Sequence, residues 1–282
     1  MKQNVEYGCG IYRAGKKEFT FTLSDFENRD TFADCSLRKK EYEKSIFASL
    51  PFSNTVEAEA FGAEVIFQEK DQTPRIKNFI CKTLDEILLL PPIYYQGGRI
   101  KEILLACEIL KGKGQCVLYE LSGPFTILSG LIDLGVVFRS VRKDRETFFK
   151  VYQKLEEEIL VFIRLLLKKE IKVISFADPA VSEDVIGKKD AEKIIKEFTY
   201  PFLKKMNEEV QKKALIVLCP KITHLLLDMK LAQCKEVPCE EGLTYAEGCK
   251  RMIGQAEFIG SMCIHNEKMQ WKDQRIRTIS LL

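Results

Sequence analysis

The chain has 282 residues, 46% hydrophobic and 30% charged, which is the balance of a globular protein rather than a disordered or fibrous one. Its 44 Lys and Arg against 41 Asp and Glu leave a net charge of +3, too weak a field to argue for a nucleic-acid partner or an anionic membrane. No run approaches the roughly 18 apolar residues of a membrane span. The start, MKQNVEYGCG, lacks the apolar core of a signal peptide, so the expectation is a cytoplasmic protein. Its ten cysteines are then mostly reduced thiols, and with no C-x-x-C pair they suggest neither a zinc ribbon nor a thioredoxin-type site.

Residues 1–44 are the least regular part, with EFTFTLSDF (18–26) reading as a strand or hairpin. SIFASLPFSNTVEAEAFGAEVIFQ (45–68) reads as strand, turn, helix and strand. RIKEILLACEIL (99–110) has helical spacing, and QCVLYEL (115–121) is a short apolar run ended by Ser-Gly-Pro. Helices are predicted from Pro124 to Phe138, with proline in the first turn, and from Asp144 to Lys169. The apolar run IKVISFAD (171–178) precedes a helix over Asp190–Lys212, and ALIVLC (214–219) precedes one over Ile222–Gln233. CKEVPC (234–239), a helix over Thr244–Ile253, EFIGSMC (257–263) and the strand-like RIRTISLL (275–282) complete the chain.

Short apolar runs alternating with helices imply parallel strands buried on both faces. About 250 residues of this pattern suit a (β/α)8 TIM barrel better than an open sheet, because no G-x-G-x-x-G opens the first helix. With no repeat or linker, residues 1–282 read as a single domain. In a barrel the residues just past each strand's carboxyl end face the active site. The run ends then nominate Phe52, Ser53 and Asn54; Ser122 and Gly123; Asp178; Cys219; Cys239 and Glu240; Cys263 and His265.

Thiolate, imidazole and carboxylate are the ligand set of zinc, and Cys219, Glu240, Cys263 and His265 lie at successive run ends. The alternative is that these cysteines are small buried hydrophobes. Asp178, followed by Pro179, reads either as a carboxylate at the pocket mouth or as a turn or helix cap, with Ser182 nearby. His224 reads as structural, and Trp271, in a polar connection, carries no functional signal.

PFSNTVEAEAFGAEV (51–65), LDEILLLPP (84–92), GGRIKEILLACEIL, GPFTILSGLI (123–132) and SFADPAVSEDVIGKKDAEKIIKEFTYPFLKKM (175–206) together resemble the uroporphyrinogen decarboxylase superfamily. The resemblance runs in order from about residue 45 to 263 and is nearest to the methylcobamide:coenzyme M methyltransferase branch. It implies a (β/α)8 barrel, here with a shortened C-terminus. It also implies transfer of a methyl group from a methyl-corrinoid, free or on a corrinoid protein, to a small thiol activated by zinc. Cys219 falls on the family's ligand cysteine, and Val217 stands in place of its ligand histidine. A rearranged zinc site would then draw on Cys219, Glu240, Cys263 and His265. Asp178 and Cys219 are the expected catalytic residues, and Ser53, Asn54, Phe125 and Ser182 the expected substrate-binding ones. The decarboxylase branch uses an aspartate where Ser53 or Asn54 stands and a tyrosine at Gly130, so tetrapyrrole decarboxylation is disfavoured. A non-catalytic corrinoid- or tetrapyrrole-binding member is the other alternative.

Overall fold

The period-2 alternation of the apolar runs decides how the strands bury their two faces. The computed structural model describes residues 19–67, 73–271 and 273–282. In chain order these form α1 (Arg29–Glu43), β1 (Phe47–Leu50), α2 (Val56–Ala60), β2 (Glu64–Ile66), β3 (Arg75–Asn78), α3 (Leu84–Leu89), α4 (Gly98–Gly112) and β4 (Cys116–Ser122). There follow α5 (Pro124–Leu131), α6 (Leu134–Lys143), α7 (Arg145–Lys168), β5 (Val173–Ala177), α8 (Glu183–Ile186), α9 (Lys188–Ile194), α10 (Tyr200–Val210) and β6 (Leu215–Leu218). The last elements are α11 (Pro220–Asp228), β7 (Ala232–Pro238), α12 (Tyr245–Arg251), β8 (Phe258–Ile259) and β9 (Arg275–Leu281).

Strands β1, β4, β5, β6 and β8 pair in that order, all parallel, and β9 then pairs antiparallel with both β8 and β7. The fold is therefore α/β with a mainly parallel sheet, as the alternation requires. Among the described residues no ladder joins the edge strands β1 and β7, so backbone hydrogen bonds do not close a barrel. Strand β8 takes the place beside β6 that chain order would give to β7.

Alternate side chains go to two cores. Leu50, Tyr119, Leu121, Ile174, Phe176, Ile216 and Leu218 enter the main core under the helices. Phe47, Leu118, Val173, Leu215, Val217 and Ile259 enter a second core on the other face, closed by Tyr245, Cys249 and Trp271. Trp271 is thus not an idle surface residue: it is 3% exposed and packs on Tyr245 at 5.3 Å between ring centroids. Burying two such rings contributes about 2–3 kcal/mol apiece.

Some boundaries differ from expectation. The predicted helix 124–138 breaks at Ile132 and Asp133, where Ile132 is extended and the Asp133 carboxylate accepts from the Gly135 N–H to start α6. The stretch 29–43, read as irregular, is the 15-residue helix α1, capped by Asn28 accepting from the Asp30 and Thr31 N–H groups. The segment 19–26 forms no strand; its regular part is a short 3-10 turn, Leu23–Phe26. The predicted helix over 190–212 is confirmed as α9 and α10 joined through one π-helical turn, Ile195–Thr199. No helix among the described residues is long and apolar enough to cross a membrane. The nine described cysteines are all free thiols; Cys9 and the 7–17 segment lie outside the described residues.

Candidate functional site at the carboxyl ends of the parallel strands

At the end of β5, Asp178 turns its carboxylate toward the first turn of α5. It accepts from the Phe125 N–H at 3.1 Å, the Thr126 N–H at 2.7 Å and the Thr126 hydroxyl at 2.7 Å. These are orphan donors of a helix N-terminus, where a carboxylate is favoured. Burial at 2% exposure nevertheless pushes the acid up to about 6, with the three hydrogen bonds opposing the shift. Gly123 makes the contact geometrically feasible: a Cβ there would lie 2.5 Å from the Cβ and Cγ of Asp178. The cap reading of Asp178 is the one its contacts describe.

The residues expected to bind substrate divide by burial. Phe125 is fully buried and packs between Phe138, Phe148 and Tyr152 in the main core. Ser53 is held by Thr55 at 3.0 Å and by the Arg99 guanidinium at 3.4 Å, while Asn54 is exposed. Ser182 is buried and precedes α8, its carbonyl accepting from the Val185 N–H.

The metal-ligand expectation meets a specific geometry. Cys219 follows β6 as the half-buried N-cap residue of α11, and Cys263 is the half-buried residue before the short 3-10 turn Ile264–Asn266. Glu240 is on the surface beyond β7, paired with Arg251 at 2.6 Å. His265 faces Glu120 instead, with Nε2 3.4 Å from the carboxylate Oε2. Among the described residues no three of His, Cys, Asp and Glu are placed to hold one ion. As placed, the described side chains gather no zinc-ligand set, and no chemical step is assigned to that metal.

What the fold does assemble is an accessible ion pair on the second face of the sheet. Glu120 projects from β4 beside Ser175 of β5, between the buried Leu118 and Ser122. The segment carrying His265 crosses from β8 to the start of β1, where the Glu267 carboxylate accepts from the Ser45 hydroxyl at 2.7 Å and the Ile46 N–H at 3.1 Å. Burial disfavours ionised Glu120, but the His265 charge, its hydrogen bond and Lys39 outweigh that and hold it below the usual range. The Glu120 charge and hydrogen bond raise His265 above its ordinary value, against burial and Lys39. Yet 29% of the Glu120 side chain and 47% of the His265 side chain remain exposed.

Glu120 was legible as a lone carboxylate in an apolar run, in phase with Leu118 and Ser122. Pairing stabilises the fold in the window where Glu120 is ionised and His265 protonated. The contribution is lost as pH rises through the raised His265 pKa, and as it falls through the lowered Glu120 pKa. In NMR titration His265 should show a midpoint above about 6.5, returning toward that value in Glu120→Gln. A midpoint unmoved by the substitution would contradict the pairing.

A sequence profile of the uroporphyrinogen decarboxylase (URO-D) family matches residues 12–262. The methylcobamide:CoM methyltransferase MtaA of Methanosarcina barkeri (strain Fusaro / DSM 804) is 25% identical over 240 residues, 83% of this chain and 69% of that protein. The methylcobamide:CoM methyltransferase MtbA of Methanosarcina acetivorans is 24% identical over 160 residues, 56% of this chain and 46% of that protein. A solved methyltransferase from Methanosarcina mazei superposes with a TM-score of 0.61 at 22% identity, covering 72% of this chain and 60% of that one. That likeness establishes a shared α/β architecture. With the profile spanning most of its length, the chain belongs to the uroporphyrinogen decarboxylase family.

Proposed function

We propose that this protein moves a methyl group from a methyl-corrinoid, free or carried by a corrinoid protein, to a small thiol. The observation that carries the reading is the 240-residue similarity to a methylcobamide:CoM methyltransferase, joined to an accessible Glu120–His265 pair near the strand ends. Thiol methylation needs a thiolate, since the thiol itself is a poor nucleophile. With Nε2 of His265 turned to Glu120, the opposite ring nitrogen is the one to take the thiol proton, and Glu120 stabilises the resulting imidazolium. The sulfur–carbon bond then forms as the cobalt–carbon bond of the substrate breaks, its electron pair staying on cobalt. The proton on His265 passes to solvent. Ser175, partly exposed opposite Glu120 on β5, would line the approach.

A decarboxylase reading is disfavoured by packing as well as by residue type. A Cβ on Gly130 would lie 2.6 Å from the Cβ of Ala58, which leaves no room for that branch's tyrosine. The non-catalytic alternative is favoured by one observation. Val217, at the position of the family's ligand histidine, is 1% exposed and stacks beside Ile259 in the second core.

Methylcobalamin and a small thiol, mixed with the protein under anaerobic conditions, test the proposal. The expected outcome is thiol-dependent loss of the methylcobalamin absorption and growth of cobalt(I). Binding of the corrinoid with no demethylation would instead support the non-catalytic reading.

A further inference from the structure

Strand β1 is an edge of the sheet, and the segment that follows β8 meets it through the side chain of Glu267. The Ile46 N–H, just before β1, donates to that carboxylate at 3.1 Å, and the Ser45 hydroxyl lies 2.7 Å from both of its oxygens. The Ser45 oxygen accepts from the Phe47 N–H at 2.9 Å. Its proton also reaches the Phe47 carbonyl at 2.9 Å, but a carboxylate is the stronger acceptor. The backbone of Glu267 faces the other way. Its carbonyl accepts from the Ala246 N–H at 3.1 Å, and the Met269 carbonyl from the Tyr245 N–H at 2.6 Å. Glu267 thus joins the start of α12 to the start of β1, and His265 stands two residues before that junction.

His265 depends on where this segment is held. Its neighbours Ile264 and Asn266 are buried, but His265 itself is exposed and packing does not fix its ring. Its Nε2 is 3.4 Å from Glu120, at the outer edge of hydrogen-bond distance, so a shift of about 1 Å would break the pair. The two charges that α1 brings to His265, Lys39 and Glu43, act in opposite directions and are paired with each other at 2.8 Å. Glu120 is left as the deciding partner. We infer that Glu267 is a positioning residue, which anchors the segment after β8 to β1 and so holds the His265 ring on Glu120. Its effect on rate rests on the methyl-transfer reading; the hold itself belongs to the fold and is read without catalysis.

The test compares Glu267→Ala with Glu267→Gln in the full chain. Glutamine keeps the length and one acceptor oxygen for Ser45 or Ile46, whereas alanine keeps neither. NMR titration reads the His265 ring, with His224 on α11, the other histidine, as internal reference. In Glu267→Ala the His265 midpoint should fall toward about 6.5, and in Glu267→Gln it should stay close to that of the unaltered protein. In the methyl-transfer assay alanine should lower kcat by about 10- to 100-fold with KM unchanged, and glutamine should restore most of the rate. An unmoved His265 midpoint in Glu267→Ala would overturn the positioning role. So would glutamine shifting the midpoint as far as alanine, since the Glu267 charge would then act on His265 directly. Should Glu267→Ala fail to fold, Ser45→Ala removes one tie and should shift His265 the same way by less; no shift there overturns the role. A His265 midpoint that responds to Glu267→Ala in a protein without methyl transfer keeps the positioning role and rejects only the methyl-transfer reading.

Discussion

Gly123→Ala is expected to destabilise the protein by roughly 3 kcal/mol or more, lowering the unfolding midpoint by about 6 °C or more. A Cβ at this position would meet the Asp178 Cβ and Cγ at 2.5 Å and Oδ2 at 2.6 Å, distances that ordinary contacts never reach. Nothing flexible can give way. The Asp178 carboxylate is fixed by three hydrogen bonds to the start of α5, and the Gly123 N–H donates to the Ala177 carbonyl at 2.8 Å. Relieving the clash means parting α5 from β5 and stripping two backbone donors of their cap. Gly112→Ala is the matched control, because a Cβ there meets nothing within 4 Å. It should leave stability unchanged or slightly raised, as alanine favours a helix. Calorimetry or urea unfolding compares the two, and similar midpoints would contradict the close approach.

His265→Ala is expected to slow methyl transfer by about 10²- to 10⁴-fold at neutral pH, the usual contribution of a positioned base. The loss should shrink as pH rises toward about 8.5, where a free thiol ionises unaided. Glu120→Gln should give a smaller loss of the same pH form, because the carboxylate acts through the imidazole. A rate defect of constant size across pH would mean that His265 only holds the segment from β8 to β1 in place.

Much of the architecture is legible from local pattern. The runs at 115–121, 171–178 and 214–219 became β4, β5 and β6 because their alternate residues serve two cores at once. The 24-residue α7 followed from its apolar spacing. Helix α1 was hidden because so much of its surface is polar: Phe32, Ala33, Cys35 and Ser36 are its buried residues. Its signal was the Asn28 cap rather than an apolar stripe. The placement of β8 between β6 and β9 depends on non-local pairing that no local pattern encodes. Trp271 looked unremarkable because its partners, Tyr245 and Ile276, come from two other elements of the second core.

The strand-end rule located Cys219 at the end of β6 and Asp178 at the end of β5. It did not foresee which way each side chain turns, and that direction decides the chemistry. Asp178 turns to helix α5, and Glu240 turns to Arg251 on the surface. His265 turns to Glu120. Convergence of loops is set by tertiary packing, so a shared ligand set could be nominated from residue types but not assembled from them.

The proposed function is passage of a methyl group from a corrinoid to a thiol on this protein. Methylcobalamin carrying a carbon-13 methyl group, incubated anaerobically with the protein and a small thiol, measures it most directly by mass spectrometry of the thiol product. The proposed transfer yields a labelled methyl thioether formed in proportion to protein and strongly reduced in His265→Ala. Labelled methyl remaining wholly on cobalt, with the corrinoid bound, would contradict it.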